Sequence, residues 1–353
     1  SVWIDSDTNK PIPKFEMEEW VQKTVSNIKR FLSPKSRILE VGCGNGLILE
    51  KLIHHVDMYI GIETSKHAIE SIKNSSIWKE NKNKIKLFNL SAIELFKLKY
   101  SNFDFIIINS VCQYFPDLDY LIDVLSQLGN KLKTNSFVYI GDVRSYELSN
   151  IQYIERSKYN AELEDKKDII RFSRQRERET LFSEVVFKNL SNILPWVCSS
   201  IISKKLGVYK NEMNKYRFDV LLICKNENRI NYHHSESLIS FCWFKDKLNY
   251  GKINKIVSDL SENQLCSIVN YPNEKLESVL ISNKKYFHNY YINNNLSDHL
   301  DLLNIKNKCD ENNIYIEILT NSNPFFFTLR FSKCPILLNA KSGIGYSESL
   351  INF

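Results

Sequence analysis

Two groups of residues in this chain have the types and spacing that chemistry needs. The first is Glu40-Val41-Gly42-Cys43-Gly44-Asn45-Gly46, an acid ahead of glycines at alternate positions, followed later by a second acid, Glu63. Glycines without a Cβ let the backbone turn sharply and approach a ligand closely. A dinucleotide fingerprint would need glycine at 47, where the chain has Leu47, so no pyrophosphate cradle is present. The spacing suits an uncharged ribose and an amino-acid tail instead. Glu63, with Thr64 beside it, would accept hydrogen bonds from both ribose hydroxyls, as an acid at the end of a second strand does in the dinucleotide folds. Cys43 sits where the turn needs a small side chain, and it reads as packing rather than as a nucleophile. The second group is Asn109-Ser110-Val111-Cys112-Gln113-Tyr114-Phe115-Pro116 with Gly141-Asp142-Val143-Arg144-Ser145. Asn109, Gln113 and Tyr114 are uncharged hydrogen-bonding groups in a strand-end loop, where chemistry sits in an open sheet. Asp142 and Glu212 are the acids that would act as bases if a proton had to be removed. Each also reads as an ion-pair partner, Asp142 for Arg144 and Glu212 for Lys215; Arg144 and Arg217 read as pairing residues before catalytic ones.

The elements that must position these groups follow from hydrophobic spacing. Ile38, Leu39 and Val41 form a short strand, and Leu47, Ile48, Leu49, Leu52 and Ile53 recur at helical spacing. Met58 to Ile62 form a second strand, which ends on Glu63. Strand, glycine turn, helix and strand make half of a doubly wound α/β sheet, whose ligands lie at the carboxyl ends of the strands. Ahead of it, Phe15, Trp20, Val21, Val25, Ile28 and Phe31 mark a helix that stops at Ser33-Pro34. Residues 65–79 read as a helix and 85–90 as a third strand, with Ser91 and Ala92 at its end. Residues 103–108 and 137–140 read as the fourth and fifth strands, around a helix over 119–131. Residues 146–192 are helical and charged, and their alternating arginines and glutamates, Arg171, Arg174, Arg176 and Arg178 among them, read as a solvated face. Residues 198–203 and 217–224 suit closing antiparallel strands. After a polar linker at Asn226 to Arg229, strands are expected at 237–244, 265–270, 314–319 and 325–331. The expected organisation is a core over 1–229 with a helical lid insertion at 146–192, then a smaller C-terminal α/β subdomain over 230–353.

Composition excludes several classes. The net charge of +6 on 353 residues is modest and its lysines and arginines are interleaved with acids, so no nucleic-acid stripe stands out. Eight scattered cysteines never form a C-x-x-C pair and read as reduced thiols of a cytoplasmic protein. Histidines 233, 234, 288 and 299 lack partners at metal-ligand spacing, so no metal is expected. The longest apolar runs are only strand length, so no membrane span is expected. The chain opens at Ser1, which reads as a piece of something longer or a processed chain.

The acid-glycine turn resembles that of class I S-adenosylmethionine-dependent methyltransferases. With Trp3, Pro11-Ile12, Met17, Trp20-Val21, the Asn109 to Pro116 and Gly141 to Ser145 blocks, and Asn211-Glu212 with Tyr216 to Val220, nearly the whole chain resembles the methyltransferase domains of nonribosomal peptide synthetases. Tyr271-Pro272-Asn273 with Leu276 is similar to the carboxyl-terminal extension of those domains. Two departures are Asp7 and Asn9, where the family usually carries a tyrosine and a glycine, and the tail from Cys334, which does not resume an adenylation domain. The resemblance implies S-adenosyl-L-methionine as cofactor, leaving as S-adenosyl-L-homocysteine. Its site would be made by Glu40, Gly42, Cys43, Gly44, Gly46, Glu63, Thr64, Ser91, Ala92, Asn109 and Ser110. It implies transfer to an amino acid or peptide unit, usually at the α-nitrogen, held as a thioester on a carrier protein, with a synthetase or carrier protein as partner. Related carbon-methylating domains usually carry histidine where Gln113 stands, which favours nitrogen. A free-standing enzyme methylating carbon or oxygen, and an inactive cofactor-binding scaffold, are the alternatives.

Overall fold

The structure is a computed structural model and describes residues 4–5, 10–157, 165–205, 207–224, 237–261, 264–273, 276, 302–320 and 326–333. The expectations for Trp3, Asp7 and Asn9, the linker Asn226 to Arg229, the histidines 233, 234, 288 and 299, and the tail from Cys334 lie outside these residues.

Strands β1 (Arg37–Val41), β2 (Met58–Glu63), β3 (Ile85–Asn89), β4 (Phe103–Asn109) and β5 (Leu132–Arg144) run parallel. Strand β7 (Arg217–Cys224) lies antiparallel between β5 and β6 (Val197–Lys204). The order β3-β2-β1-β4-β5-β7-β6 reverses direction between β1 and β4, and that switch point opens a crevice at the carboxyl ends of the strands. Both faces of the sheet are covered, which is why its strands read as continuous apolar runs. Leu39, Val41, Ile106 and Ile108 pack on one face with Leu121, Val124 and Leu125 of α5 (Leu118–Gly129). Ile38, Phe105 and Ile107 pack on the other, under α1 (Lys14–Lys29) and α2 (Leu47–Leu52). Each fully buried isoleucine of β4 contributes about 1.5–3 kcal/mol by leaving water. Period two puts Glu40 in phase with Ile38, and Asn109 in phase with Phe105 and Ile107, on this second face.

Several expected elements are cut differently. The helix expected over 65–79 breaks into α3 (Lys66–Asn74) and α4 (Ser76–Glu80), because Ser75 is extended and its hydroxyl accepts from the Trp78 N–H. Strand β5 extends through Arg144, so Gly141 to Arg144 belong to a strand rather than a loop. Among the described residues, the charged insertion holds several helices rather than one continuous one. It folds as α6 (Ser149–Ser157) and α7 (Lys166–Arg176), then an extended stretch over 177–183, then the short α8 (Glu184–Lys188) and α9 (Leu190–Ile193). A further short helix, α10 (Glu212–Tyr216), leads into β7.

The C-terminal unit has α11 (Tyr250–Ser258), α12 (Leu302–Glu311) and its own apolar core around Ile253, Cys266, Ile268, Leu329 and Phe331. Its strands β8 (Ser237–Cys242), β9 (Gln264–Pro272), β10 (Tyr315–Thr320) and β11 (Phe326–Ser332) do not make a separate sheet. They extend the first one to eleven strands, in the order β6-β10-β11-β9-β8, through pairing of Leu319 with Ser203.

Candidate active site

The glycine turn is built from backbone conformations that side chains resist. Gly42, Gly44 and Gly46 have φ of 75°, 49° and 83°. A Cβ on Gly42 would lie 2.4 Å from Val111 Cγ2, so the turn and the Asn109 to Pro116 loop pack directly together. A Cβ on Gly44 would meet nothing within 4 Å, so the rim of the turn faces open space. Glu63 closes this cradle. One carboxylate oxygen accepts the Gly44 N–H at 2.9 Å, and the other accepts the Ser65 N–H at 2.9 Å and the Thr64 hydroxyl at 3.2 Å. A carboxylate offers about four lone-pair sites, so acceptor capacity remains for a ribose hydroxyl.

Glu40 is buried beneath the turn, 3% exposed, and the Tyr59 hydroxyl donates to it at 2.5 Å. Burial pushes its pKa up to about 7; the Tyr59 bond opposes that shift and the nearby Glu63 charge adds to it. Cys43 is buried, and its thiol is pushed well above its usual range by burial and then by Glu40 and Glu63. Its sulfur would lie 2.8 Å from a Cβ on Gly61, which makes it a packing residue. Ser91 does not turn its donors to the cleft: its N–H and hydroxyl both donate to Glu94, at 3.0 and 2.8 Å, starting the short helical turn Ala92–Lys97. Ala92 is buried.

The second group sits at the ends of β4, β5 and β7. Asn109 is 6% exposed, and neither its Oδ1 nor its Nδ2 has a hydrogen-bond partner; the Oε1 of Gln113, 2% exposed, also has none. A buried polar group left unpaired costs about 1–3 kcal/mol, so such groups call for a ligand or another explanation. Gly141 makes room for Asn109, since a Cβ there would lie 2.0 Å from the Asn109 Oδ1. Tyr114 is 69% exposed at the rim.

Beside these amides lies a buried ionic network. Ser110, at φ 56°, donates to Asp142 at 2.5 Å. Asp142, at φ 66°, also takes Arg217 at 2.6 Å and Lys205 at 3.2 Å, and its N–H donates to Asp219 at 2.8 Å. Burial alone would raise the Asp142 pKa, but Arg217 and then Lys205 hold it well below the usual carboxylate range. Arg217 also donates to Glu212 at 3.0 Å, and Gln152 donates to the other Glu212 oxygen at 3.4 Å. Arg144 is paired elsewhere: it forks onto Glu177 at 2.8 and 2.9 Å, with Glu179 at 3.1 Å and Gln152 at 3.2 Å. The expected partners were different, Arg144 for Asp142 and Lys215 for Glu212. In the fold Lys215 pairs with Glu155 at 2.7 Å, and Arg217 takes both acids because β7 places it opposite the end of β5. Lys205, just past the end of β6, and Gln152, on α6, carry no local sequence signal; only the tertiary fold brings them here.

No group of three or more residues able to hold a metal occurs among the described residues, and none of their helices is long and apolar enough to cross a membrane.

Residues 32–185 match a protein family described as a methyltransferase domain. The matched residues, less than half of the chain, are those of a methyltransferase domain. Over 62% of its length it is 30% identical to chondramide synthase cmdD of Chondromyces crocatus, covering 6% of that protein. Over 77% it is 29% identical to the nonribosomal peptide synthetase asqK of Emericella nidulans, covering 11% of that protein. The chain spans 3% to 11% of the curated relatives it matches. Among solved structures, the N-methyltransferase NodS of Bradyrhizobium japonicum in complex with S-adenosyl-L-homocysteine overlaps 61% of this chain and 89% of its own at 16% identity, with a TM-score of 0.38. The doubly wound α/β class and S-adenosylmethionine as cofactor stand for this methyltransferase domain, which is related to those of nonribosomal peptide synthetases. Its cradle fits that cofactor: open space over Gly44, spare acceptor capacity on Glu63, and the unpaired amide of Asn109 at the switch point.

Proposed function

We propose that the protein methylates the α-nitrogen of an amino acid or peptide unit held as a thioester on a carrier protein, within peptide natural-product assembly. The observation that carries this reading is the pair of buried, unpaired amide oxygens, those of Asn109 and Gln113, on a side of the cleft where both candidate acids are already engaged by cations. Glu63, the Gly44 rim and Ser110 with Asn109 would hold the cofactor. When bound, S-adenosylmethionine supplies a methyl group already activated by its sulfonium.

An α-amine has an ordinary pKa of about 7.7–8.0, so a useful fraction is neutral near pH 7.5 and no strong base is required. What remains is orientation, which alone can supply roughly 7–11 kcal/mol of a barrier. The carbonyl oxygens of Asn109 and Gln113 accept the amine N–H bonds and turn the lone pair toward the methyl group. Methylation at carbon would need a base for the α-proton. Asp142, held low by Arg217 and Lys205, is a poor one, and Glu212 faces Arg217 and Gln152. The synthetase relatives support the carrier-bound setting.

The test incubates the protein with labelled S-adenosylmethionine and either an aminoacyl carrier protein or the free amino acid, and locates the label by mass spectrometry. Label on the nitrogen of the carrier-bound unit alone supports the proposal. Label on the free amino acid, or at carbon or oxygen, replaces it with a free-standing enzyme. Cofactor binding with no label on any acceptor makes the chain a scaffold.

A further inference from the structure

Gln113 is buried; its amide oxygen has no partner, and its amide nitrogen contacts the hydroxyl of Tyr114, a side chain exposed at the rim. Both residues of that contact lie in the short turn Cys112–Tyr114, so the direction of the amide follows the main chain of this turn, which is held from outside. The Thr180 N–H donates to the Gln113 carbonyl at 2.8 Å, and the Thr180 hydroxyl donates to the Phe115 carbonyl. Thr180 lies in the extended stretch between α7 and α8, which is anchored on both sides. Before it, Glu177 takes the Arg144 fork and the Tyr153 hydroxyl at 3.1 Å, and Glu179 takes Arg144 as well. After it, the Phe182 N–H donates to the Arg144 carbonyl and the Tyr146 N–H donates to the Phe182 carbonyl, both at 3.0 Å, with the Phe182 ring buried. Residues 177–182 thus form a strap tied at each end to the terminus of β5 and in the middle to the acceptor loop.

We propose that Thr180 is a positioning residue for methyl transfer: by holding the Gln113 and Phe115 carbonyls it fixes the direction of the Gln113 amide. Arg144 is then the anchor of this strap, and it acts on the reaction only through it. The inference rests on the acceptor role proposed above for Gln113. It goes beyond that role in assigning the work of orientation to a residue far away in sequence that touches no reactant.

The test compares Thr180→Val, which removes the hydroxyl but keeps the shape and the N–H, with Thr180→Ser, which keeps the hydroxyl. Both are made in the full chain and read by kcat, KM for the acceptor, cofactor affinity and amide hydrogen exchange over residues 112–115. In Thr180→Val, kcat should fall about 10- to 100-fold, the size of loss that a misplacement near 1 Å produces. Cofactor affinity should stay unchanged, which also shows that the fold is intact, and exchange in the loop should quicken. Thr180→Ser should restore both kcat and exchange. Equal impairment of the two variants would assign Thr180 to packing, and faster exchange without loss of kcat would remove the positioning role. Unchanged exchange in Thr180→Val would show that the strap does not hold the loop. Should the unaltered protein transfer no methyl group to any acceptor, the functional reading fails, and the exchange comparison still decides whether Thr180 holds the loop.

Discussion

Where β1 and β2 end, the cleft is made of main chain. Left-handed glycines shape it, and the carboxylate of Glu63 ties it by accepting N–H groups of the same turn. Where β4 and β5 end and β7 begins, the cleft is made of buried side-chain charge, with Asp142, Lys205, Arg217, Asp219 and Glu212 linked behind two unpaired amide oxygens. The first construction suits a ligand of one fixed shape, which backbone can grip without adjustment. The second leaves a small set of polar atoms to be satisfied by an acceptor, and it costs desolvation to build.

The contrast can be broken hardest at Asp142. Asp142→Ala leaves Arg217 and Lys205 facing each other without their shared carboxylate. Removing one partner of a buried pair costs about 3–5 kcal/mol, so urea unfolding should show a loss of that size. A loss below about 1 kcal/mol, the value of an exposed pair, would mean that the acceptor half does not depend on its charges.

On the glycine-turn half, Glu40 is the one buried acid among the described residues. Its folded pKa of about 7 lies above the ordinary carboxylate value, so the protonated form is the one that folding favours. The stability this confers is full at acid pH and is lost as pH rises through about 7, a loss of about 3 kcal/mol by linkage. Glu40→Gln should therefore match the unaltered protein in melting temperature near pH 5 and exceed it progressively toward pH 8. A constant difference across that range would show that Glu40 keeps its charge when buried.

The smallest effect is expected at Glu63. A hydrogen bond to a charged group contributes about 1.5–3 kcal/mol, so Glu63→Ala should weaken S-adenosylmethionine binding by about 10- to 100-fold in calorimetry. Unchanged affinity would take the ribose away from this carboxylate.

The two halves also differ in how far they were legible in the sequence. Gly44 and Glu63 are 19 residues apart, within one strand-turn-helix-strand unit, so spacing alone disclosed their relation. Ser110 and Asp142 are 32 apart, Arg144 and Glu177 are 33, and Asp142 and Arg217 are 75, so their pairing exists only once β5 lies between β4 and β7 and the stretch after α7 has folded back onto it. For that reason Asp142 and Glu212 were visible as acids, but Arg217 was not visible as the cation between them. The strands themselves were legible because burial on both faces writes apolar runs. The break at Ser75 was hidden because one serine interrupts a pattern that is otherwise helical. The C-terminal strands were also readable from their apolar runs. Their joining to β6 rests on the single paired position Leu319 and Ser203, which no local pattern announces.

Gln113→Leu, measured for cofactor affinity and for turnover in the same preparation, puts the division of labour to its most direct test. The account predicts unchanged S-adenosylmethionine binding with kcat down about 10- to 100-fold, since the leucine keeps the bulk and removes only the acceptor that aims the amine. Turnover equal to that of the unaltered protein would contradict it.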